Sequence, residues 1–180
     1  VLERMRRGYT RDDYLRKVER IRDRIPNATM STDVIVGFCG ESDRQFQRTF
    51  ELLKEVRFDK VHAAAYSTRE GTIAARRMED DVPAEEKKRR LTELETLQEG
   101  IAAELNAAFL GRTEQVLVEQ VRGGRATGRN RNDKLVHFDT DSPDELIGHE
   151  IDVRIDKTGP WALVGTAQMA EAGARGPAIA

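Results

Sequence analysis

Two runs of alternating apolar residues each end in a polar loop, a pattern typical of strands that lead into a binding site. The segment STDVIVGFCGES begins at Ser31 and its alternation stops at Gly37, whereas KVHAAAYS closes at Ser67. Ligands bind outside the C-terminal ends of parallel strands, and a glycine there lets a ligand approach the backbone. Gly37 and Ser67 therefore mark a candidate ligand site. The alternative is that Gly37 and Gly40 only shape a tight turn, with Glu41 a solvated acid.

Residues able to bind metals are sparse. The one cysteine, Cys39, cannot form an internal disulfide and cannot by itself hold an iron-sulfur cluster. The histidines, His62, His137 and His149, are far apart in the sequence and have no cysteine or acid at the spacing of metal ligands. We therefore expect no metal ligands in this chain and interpret the histidines as structural or surface residues.

The composition is that of a soluble globular protein. The chain has 180 residues, of which 38% are hydrophobic and 34% charged, enough for one domain or one and a half small ones. No apolar run approaches the roughly 20 residues of a membrane span, and the N-terminal VLERMRRGYT lacks the hydrophobic core of a signal peptide. We expect a cytoplasmic protein with no membrane partner.

The elements that position the candidate site read as helix, strand, helix, strand, an order typical of parallel α/β structure. Capping boxes open both helices, Thr10 with Asp13 and Ser42 with Gln45. Two such units are too few to close a barrel alone. The predicted elements are a helix from Thr10 to Pro26, a strand from about Thr29 to Phe38, a helix after Ser42 and a strand closing at Ser67.

The second half of the sequence changes character. A long loop over 67–83 precedes a long helix that Pro83 opens and that runs to about Leu110, where Gly111 caps it. The charged pairs of EEKKRRLTELE predict a solvated face on this helix. From Thr113 to Ala170, four short alternating segments (EQVLVEQV, KLVHFD, EIDVRID and ALVGTAQ) predict a small β-barrel. We expect domains at 1–110 and 111–171, and a flexible tail at 172–180.

A basic stretch lies in the predicted barrel. Residues 122–134 (RGGRATGRNRNDK) hold four arginines and one lysine against one aspartate, on or around a predicted hairpin. Charge runs are usually solvated faces, but on a barrel of this kind they can neutralise nucleic-acid phosphates. Aromatic stacking partners are scarce, namely Phe138 and Trp161, and Trp161 could instead plug the end of the barrel. The candidate RNA-binding residues are Arg122, Arg125, Arg129, Arg131 and Lys134.

Four motifs together resemble the methylthiotransferases of the radical S-adenosylmethionine superfamily: VLERMRRGYTRDDY, STDVIVGFCGES, YSTREGTIAARRMEDDVPAEEKKRRL and GRNRNDKLVHF. The resemblance covers essentially residues 1–170, in the right order. It implies an α/β fold, the C-terminal portion of a radical SAM (partial TIM-like) barrel, followed by a small OB-like all-β barrel, the TRAM domain. It also implies missing N-terminal domains whose cysteines hold two 4Fe-4S clusters, so that this chain alone would be inactive.

Within that family the sequence is most similar to the enzymes that add a methylthio group to carbon 2 of a modified adenosine, dimethylallyladenosine, next to the anticodon of tRNA. The signs are Ser31-Thr32-Asp33 and the basic GRNRNDKLV. This resemblance implies tRNA, through its anticodon stem-loop, as the partner. Glu70 before Gly71 is more similar to the branch that modifies a ribosomal-protein aspartate. Two further functions stay open at this point, namely modification of threonylcarbamoyladenosine in tRNA and RNA binding without catalysis.

The resemblance implies that the strand ends hold S-adenosylmethionine. Asp33 would accept a hydrogen bond from a hydroxyl or ammonium group, or it could be a structural carboxylate paired with Arg69 or a backbone amide. Cys39 stands where the family commonly has proline, and we interpret it as a turn residue. The candidate cofactor-binding residues are Ser31, Asp33, Gly37, Ser67 and Arg69.

Overall fold

The structure, a computed structural model, describes residues 1–141 and 145–168. It divides into two compact units, Val1–Leu105 and a second that begins at Asn106. The sequence places the domain boundary five residues later, between 110 and 111. The predicted tail at 172–180, and residues 169–171 of the second predicted domain, lie outside the described residues. Within the described part of the chain, no helix is both long and apolar enough to cross a membrane.

The first unit has the predicted alternation of helices and strands. Both predicted capping boxes are confirmed: the side chains of Thr10 and Ser42 accept from the backbone amides of Asp13 and Gln45, whose side chains accept in return. A short helix capped by Thr72 lies in the segment that the sequence predicts to be a loop. The elements are α1 Arg11–Arg24, β1 Ser31–Val36, α2 Asp43–Val56, β2 Lys60–Ala65, α3 Ile73–Arg77 and α4 Ala84–Ala107.

β1 and β2 form a parallel two-stranded sheet, in register from Ser31 opposite Lys60 to Val36 opposite Ala65. Alternate residues of a strand point to opposite faces, so one face carries Val34, Val36 and Val61. That face packs against the helices, and the core there is formed by Val18, Val36, Phe46, Leu53, Val56, Phe58 and Leu94. The other face is exposed and carries Ser31, Asp33, Ile35, His62 and Ala64.

The second unit is a closed five-stranded barrel, which confirms the predicted small β-barrel. Its strand order is β3-β4-β5-β7-β6, with β5 and β7 parallel and the other pairs antiparallel. Its core is formed mainly by Val116, Val118, Val136, Phe138, Val153, Ile155 and Leu163. The strands are β3 Thr113–Arg122, β4 Arg125–Asn130, β5 Leu135–Asp139, β6 Glu150–Thr158 and β7 Leu163–Ala167.

β4 is the strand that the four alternating segments do not include. Its buried positions are Ala126, Gly128 and Asn130, which are small or polar, so the segment shows no apolar alternation. A β-carbon at Gly128 would overlap the carbonyl group of Leu117, because β3 passes close to it. A small closed barrel needs such small inward residues where its strands approach each other.

Candidate functional site

Glu41 closes the loop that follows β1. Its carboxylate oxygen Oε2 accepts a hydrogen bond of 2.6 Å from the Gly37 amide and one of 2.9 Å from the guanidinium of Arg90. Arg90 also donates to the carbonyl oxygen of Glu41 at 3.0 Å. Since Glu41 is only 5% exposed, its interpretation as a solvated acid is wrong. The carboxylate instead fixes the end of β1 to α4.

Gly37 adopts a left-handed backbone conformation, with φ of 71°. A β-carbon there would overlap the side chain of Lys87, which passes over the position. These two facts explain why position 37 is a glycine, whether or not a ligand binds there. The Gly37 amide already donates a hydrogen bond to Glu41. A close approach of a ligand to Gly37 therefore stays a prediction.

Lys87 connects α4 to the end of β2. Its ammonium donates to the carbonyl oxygen of Tyr66 at 3.1 Å and to Asp80 at 2.5 Å, and lies 5.3 Å from the centre of the Tyr66 ring. The Tyr66 ring contacts the ring of Phe38, with 5.0 Å between centres. Lys87 and Arg90 are both buried, so the predicted solvated face of α4 is wrong for these two residues.

Cys39 is buried beside Tyr66, with 4% of its surface exposed. Burial, and then the side chain of Cys39, raises the pKa of the Tyr66 hydroxyl above its usual value. Iron-sulfur clusters take several thiolates, so the donor set of this chain does not fit a cluster. Among the residues that the structure describes, no three His, Cys, Asp or Glu side chains are grouped to hold a metal ion.

The predicted cofactor-binding residues fall into separate groups. Ser31 and Asp33 lie on the exposed face of β1, whereas Ser67 and Arg69 are exposed in the loop after β2. Within the described residues Asp33 forms no ion pair with Arg69 and no hydrogen bond with a backbone amide, so the structure does not support a structural carboxylate at this position. Asp33 is aligned instead with His62 on β2.

His62 is exposed, in agreement with its interpretation as a surface residue, but its alignment with Asp33 was not predicted. Its exposed side chain shares a face with Asp33 because the two are register partners in the parallel sheet. The sequence does contain the signal, since both residues alternate with inward-facing positions of their strands. The pairing becomes visible only once the register of the two strands is known.

A cavity of about 660 Å³ lies beside β1, lined by Ser31, Asp33 and Ile35 together with Tyr9 and Arg48. This volume is in the range of small-molecule sites, roughly 300–1,000 Å³. The lining combines a carboxylate, a hydroxyl and a guanidinium with an aromatic ring, a set able to bind a polar ligand that carries a flat ring. Gly37, Ser67 and Arg69 do not line this cavity.

In the second unit, Arg122 and Arg125 are the two arginines best placed to meet an anion. They lie directly opposite each other where β3 turns into β4 through two glycines with positive φ. Both side chains are exposed, and neither forms an ion pair with any residue of the described ranges. Their guanidinium groups therefore concentrate positive charge at the end of the hairpin.

The other basic residues are in different environments. Arg129 lies between acids, 3.1 Å from Asp133 and 3.5 Å from Glu119, so its charge is partly neutralised within the barrel. Arg131 is exposed and donates to Gln115 at 3.4 Å. Lys134 lies in the β4–β5 connection, where its amide donates to Asn130. The five predicted residues thus do not form one uniform surface.

His137 and Thr127 are neighbours on the outer surface of the barrel. They are register partners on β5 and β4, and the Thr127 hydroxyl lies 2.9 Å from Nδ1 of His137. Burial, and then the charge of Arg125, holds the pKa of His137 below its usual value. The neutral imidazole of His137 and the hydroxyl of Thr127 can each donate a hydrogen bond to, or accept one from, a ligand that also contacts Arg125.

The two predicted aromatic stacking partners have opposite outcomes. Phe138 is 1% exposed and belongs to the barrel core, so its assignment as a stacking surface is wrong. Trp161 is 61% exposed in the turn before β7, so it does not plug the barrel. Of the two candidates, the Trp161 ring alone is accessible for stacking on a base.

Comparison with known proteins identifies relatives along most of the chain. Residues 1–53 match the family model described as the radical SAM superfamily. A tRNA-2-methylthio-N(6)-dimethylallyladenosine synthase of a Roseiflexus species is 50% identical over 92% of the chain and 35% of its own length. The proteins of the same name from Herpetosiphon aurantiacus and Dehalococcoides mccartyi are 47% and 44% identical over 92% and 91% of the chain, each covered to 38%. The chain is similar to these synthases along most of its own length, and it spans little more than a third of theirs.

Proposed function

We propose that this chain is part of a cytoplasmic tRNA methylthiotransferase that adds a methylthio group to carbon 2 of dimethylallyladenosine next to the anticodon. The observation that carries the proposal is similarity to synthases of that name, at 44–50% identity, over 91–92% of the chain. The matched part of the chain includes most of both units. The chain would therefore contribute to both tasks of such an enzyme, cofactor binding and RNA docking.

The first unit would hold S-adenosylmethionine, which supplies the radical and the methyl group when it is bound. Asp33 and Ser31, exposed on β1 beside the 660 Å³ cavity, would accept hydrogen bonds from ribose hydroxyls or the ammonium group. His62 would add a second polar group on the same face. Ser67 and Arg69, in the loop after β2, would contact the carboxylate group of S-adenosylmethionine. The ligands of both 4Fe-4S clusters would come from domains that precede this chain in the family.

The second unit would be a TRAM domain that docks the anticodon stem-loop. The hairpin arginines, Arg122 and Arg125, would neutralise phosphates, since no acid in the described residues forms an ion pair with them. Trp161 would offer a stacking surface for an unpaired base. Arg129 would contribute less, because Asp133 and Glu119 already hold it. Arg131 and Lys134 complete the basic surface.

The test measures filter binding of the chain to unmodified and dimethylallylated anticodon stem-loops across a salt series. Each phosphate contact contributes about 0.7–0.9 to the slope of log affinity against log salt. We expect Arg122→Ala with Arg125→Ala to reduce the slope by roughly 1–2. The matched control, Arg154→Ala, removes another exposed arginine, on β6, and should leave the slope unchanged.

Each result has a distinct meaning. Binding that is steep in salt and lost only in the hairpin variant supports RNA docking by this barrel. Equal losses per arginine removed in the hairpin variant and the Arg154→Ala control would show general charge attraction without a docking surface. Absence of binding would overturn the docking role and favour the branch that modifies a ribosomal-protein aspartate.

A further inference from the structure

α4 places two cations against the ends of both strands. Lys87 and Arg90 are three residues apart, so they lie on the same face of the helix. Both are almost enclosed, at 8% and 4% exposure, which is unusual for residues with formal charge. With Glu41 and Asp80 they form what we call the strand-end network.

The contacts of the strand-end network are directed at backbone atoms. Arg90 donates to the carbonyl oxygen of Glu41, and Glu41 accepts from the Gly37 amide, which fixes the end of β1. Lys87 donates to the carbonyl oxygen of Tyr66, which fixes the residue after β2. A further acid, Asp81, accepts from the Gly40 amide at 2.5 Å. One helix thus holds two strand ends and the loop between β1 and α2.

Stability alone does not account for this arrangement. A buried ion pair contributes little more than well-packed apolar side chains of the same volume, because desolvation offsets the attraction. The pair of Arg90 with Glu41 is of this kind, and the partly exposed pair of Lys87 with Asp80, whose aspartate side chain is 31% exposed, lies close to it. Ion pairs and backbone hydrogen bonds fix the direction and distance between the groups they join, whereas apolar packing does not.

We propose that Lys87 and Arg90 are positioning residues that set the affinity for S-adenosylmethionine by fixing the ends of β1 and β2 relative to each other. The inference rests on the proposed function, in which the cofactor reaches from the exposed face of β1 to the loop after β2. Neither cation touches the cofactor; each acts through the backbone of Gly37, Glu41 or Tyr66.

The test uses Lys87→Met, which keeps the length and apolar packing of the side chain and removes the ammonium. Arg90→Met would leave the buried Glu41 carboxylate without its counterion and could unfold the unit, so it serves only as a second variant. Lys88→Met is the matched control, since Lys88 is exposed on the next position of α4. Val56→Ala is a second control that weakens the core, since Val56 is 2% exposed there and does not line the cavity beside β1.

Two quantities are measured for each protein at a temperature where all are folded. Calorimetry gives the Kd for S-adenosylmethionine, and hydrogen exchange gives the protection of the Gly37 and Tyr66 amides. We expect Lys87→Met to raise the Kd at least tenfold and to speed exchange at both amides by a similar factor. Lys88→Met should change neither quantity, and Val56→Ala should lower the melting temperature while leaving the Kd within twofold of wild type.

The outcomes separate the inference from the function on which it rests. If wild type binds S-adenosylmethionine and Lys87→Met binds it equally well, the positioning role is overturned and the proposed function stands. If Val56→Ala weakens binding as much as Lys87→Met does, the effect is one of general stability and the positioning role is again overturned. If wild type does not bind the cofactor, the role of this unit in cofactor binding falls, and the inference falls with it.

Discussion

The carboxylate of Glu41 and the guanidinium of Arg90 lie 2.9 Å apart and are almost completely enclosed, with side-chain exposures of 2% and 4%. They are 49 residues apart in the sequence, so the pair joins the loop after β1 to the first unit's last helix. Removal of Arg90 would leave the buried Glu41 carboxylate without its counterion, whereas Arg90 also pairs with Glu86 at 2.8 Å. This pair is therefore the interaction in the first unit whose loss should be felt most sharply.

Replacement of Arg90 by methionine should destabilise the first unit by about 3–5 kcal/mol, the usual cost of a buried charge left without its partner. Urea denaturation followed by circular dichroism measures the change. Arg89→Met is the matched control, because Arg89 pairs with Asp43, Glu86 and Glu93 but is 48% exposed. A loss in Arg89→Met as large as that in Arg90→Met would contradict the importance of burial.

Replacement of Gly37 by alanine should also destabilise the first unit, by about 1–3 kcal/mol from backbone strain alone. The reasons are the positive φ at Gly37 and the overlap of a new β-carbon with Lys87. Gly100→Ala is the opposite case. A β-carbon added at this exposed position inside α4 would have no atom within 4 Å apart from its own helix backbone and chain neighbours. It should stabilise the helix by about 0.5–1 kcal/mol. Thermal melts of the two variants should therefore move in opposite directions.

Acid should destabilise the barrel through His137, whose pKa is lowered by burial and then by the charge of Arg125. Because the folded pKa lies below the unfolded value of 6.5, the unfolded chain takes up the proton first as the pH falls through 6.5. Stability is therefore complete above that pH and decreases below it. Melting temperatures between about pH 7.5 and 5 should fall less in His137→Gln than in wild type. Parallel curves would show that His137 does not contribute.

Trp161 and Phe138 should separate RNA contact from folding. Trp161→Ala should change barrel stability by less than about 0.5 kcal/mol, because the ring is exposed. Its RNA affinity should fall by about 1–3 kcal/mol if the ring stacks on a base. Phe138→Ala, which empties a core position, should cost about 3–5 kcal/mol of stability. Unchanged RNA affinity in Trp161→Ala would exclude stacking on this ring.

Local signals made most of the fold predictable. The capping boxes at Thr10 and Ser42 depend on residues three positions apart, and both predictions are confirmed. The barrel was predictable from strands whose inward residues are large and apolar. β4 was not among the predicted alternating segments. Its inward residues, Ala126, Gly128 and Asn130, meet the needs of close strand approach and hydrogen bonding, so they form no apolar pattern.

The site was less predictable because its contacts are distant in sequence. Ser31 and Asp33 could be placed on one exposed face by alternation alone. Glu41 was misinterpreted because its partner, Arg90, comes from a helical segment whose charges resemble those of a solvated surface. Spacing along a helix shows which residues share a face but does not show what that face meets. The same limit hid the alignment of His62 with Asp33, which depends on strand register.

The opposed arginines at the hairpin turn have a thermodynamic consequence of their own. Arg122 and Arg125 face each other across antiparallel strands, where like charges repel and weaken the pairing. Asp139 of β5, the register partner of Arg125 on its other side, offsets part of this repulsion, and an anion that bridges the two arginines would relieve the rest. By linkage, polyphosphates should raise the melting temperature of the barrel, and less so when either arginine is removed. A sequence chosen for folding alone would put an acid at one of these positions.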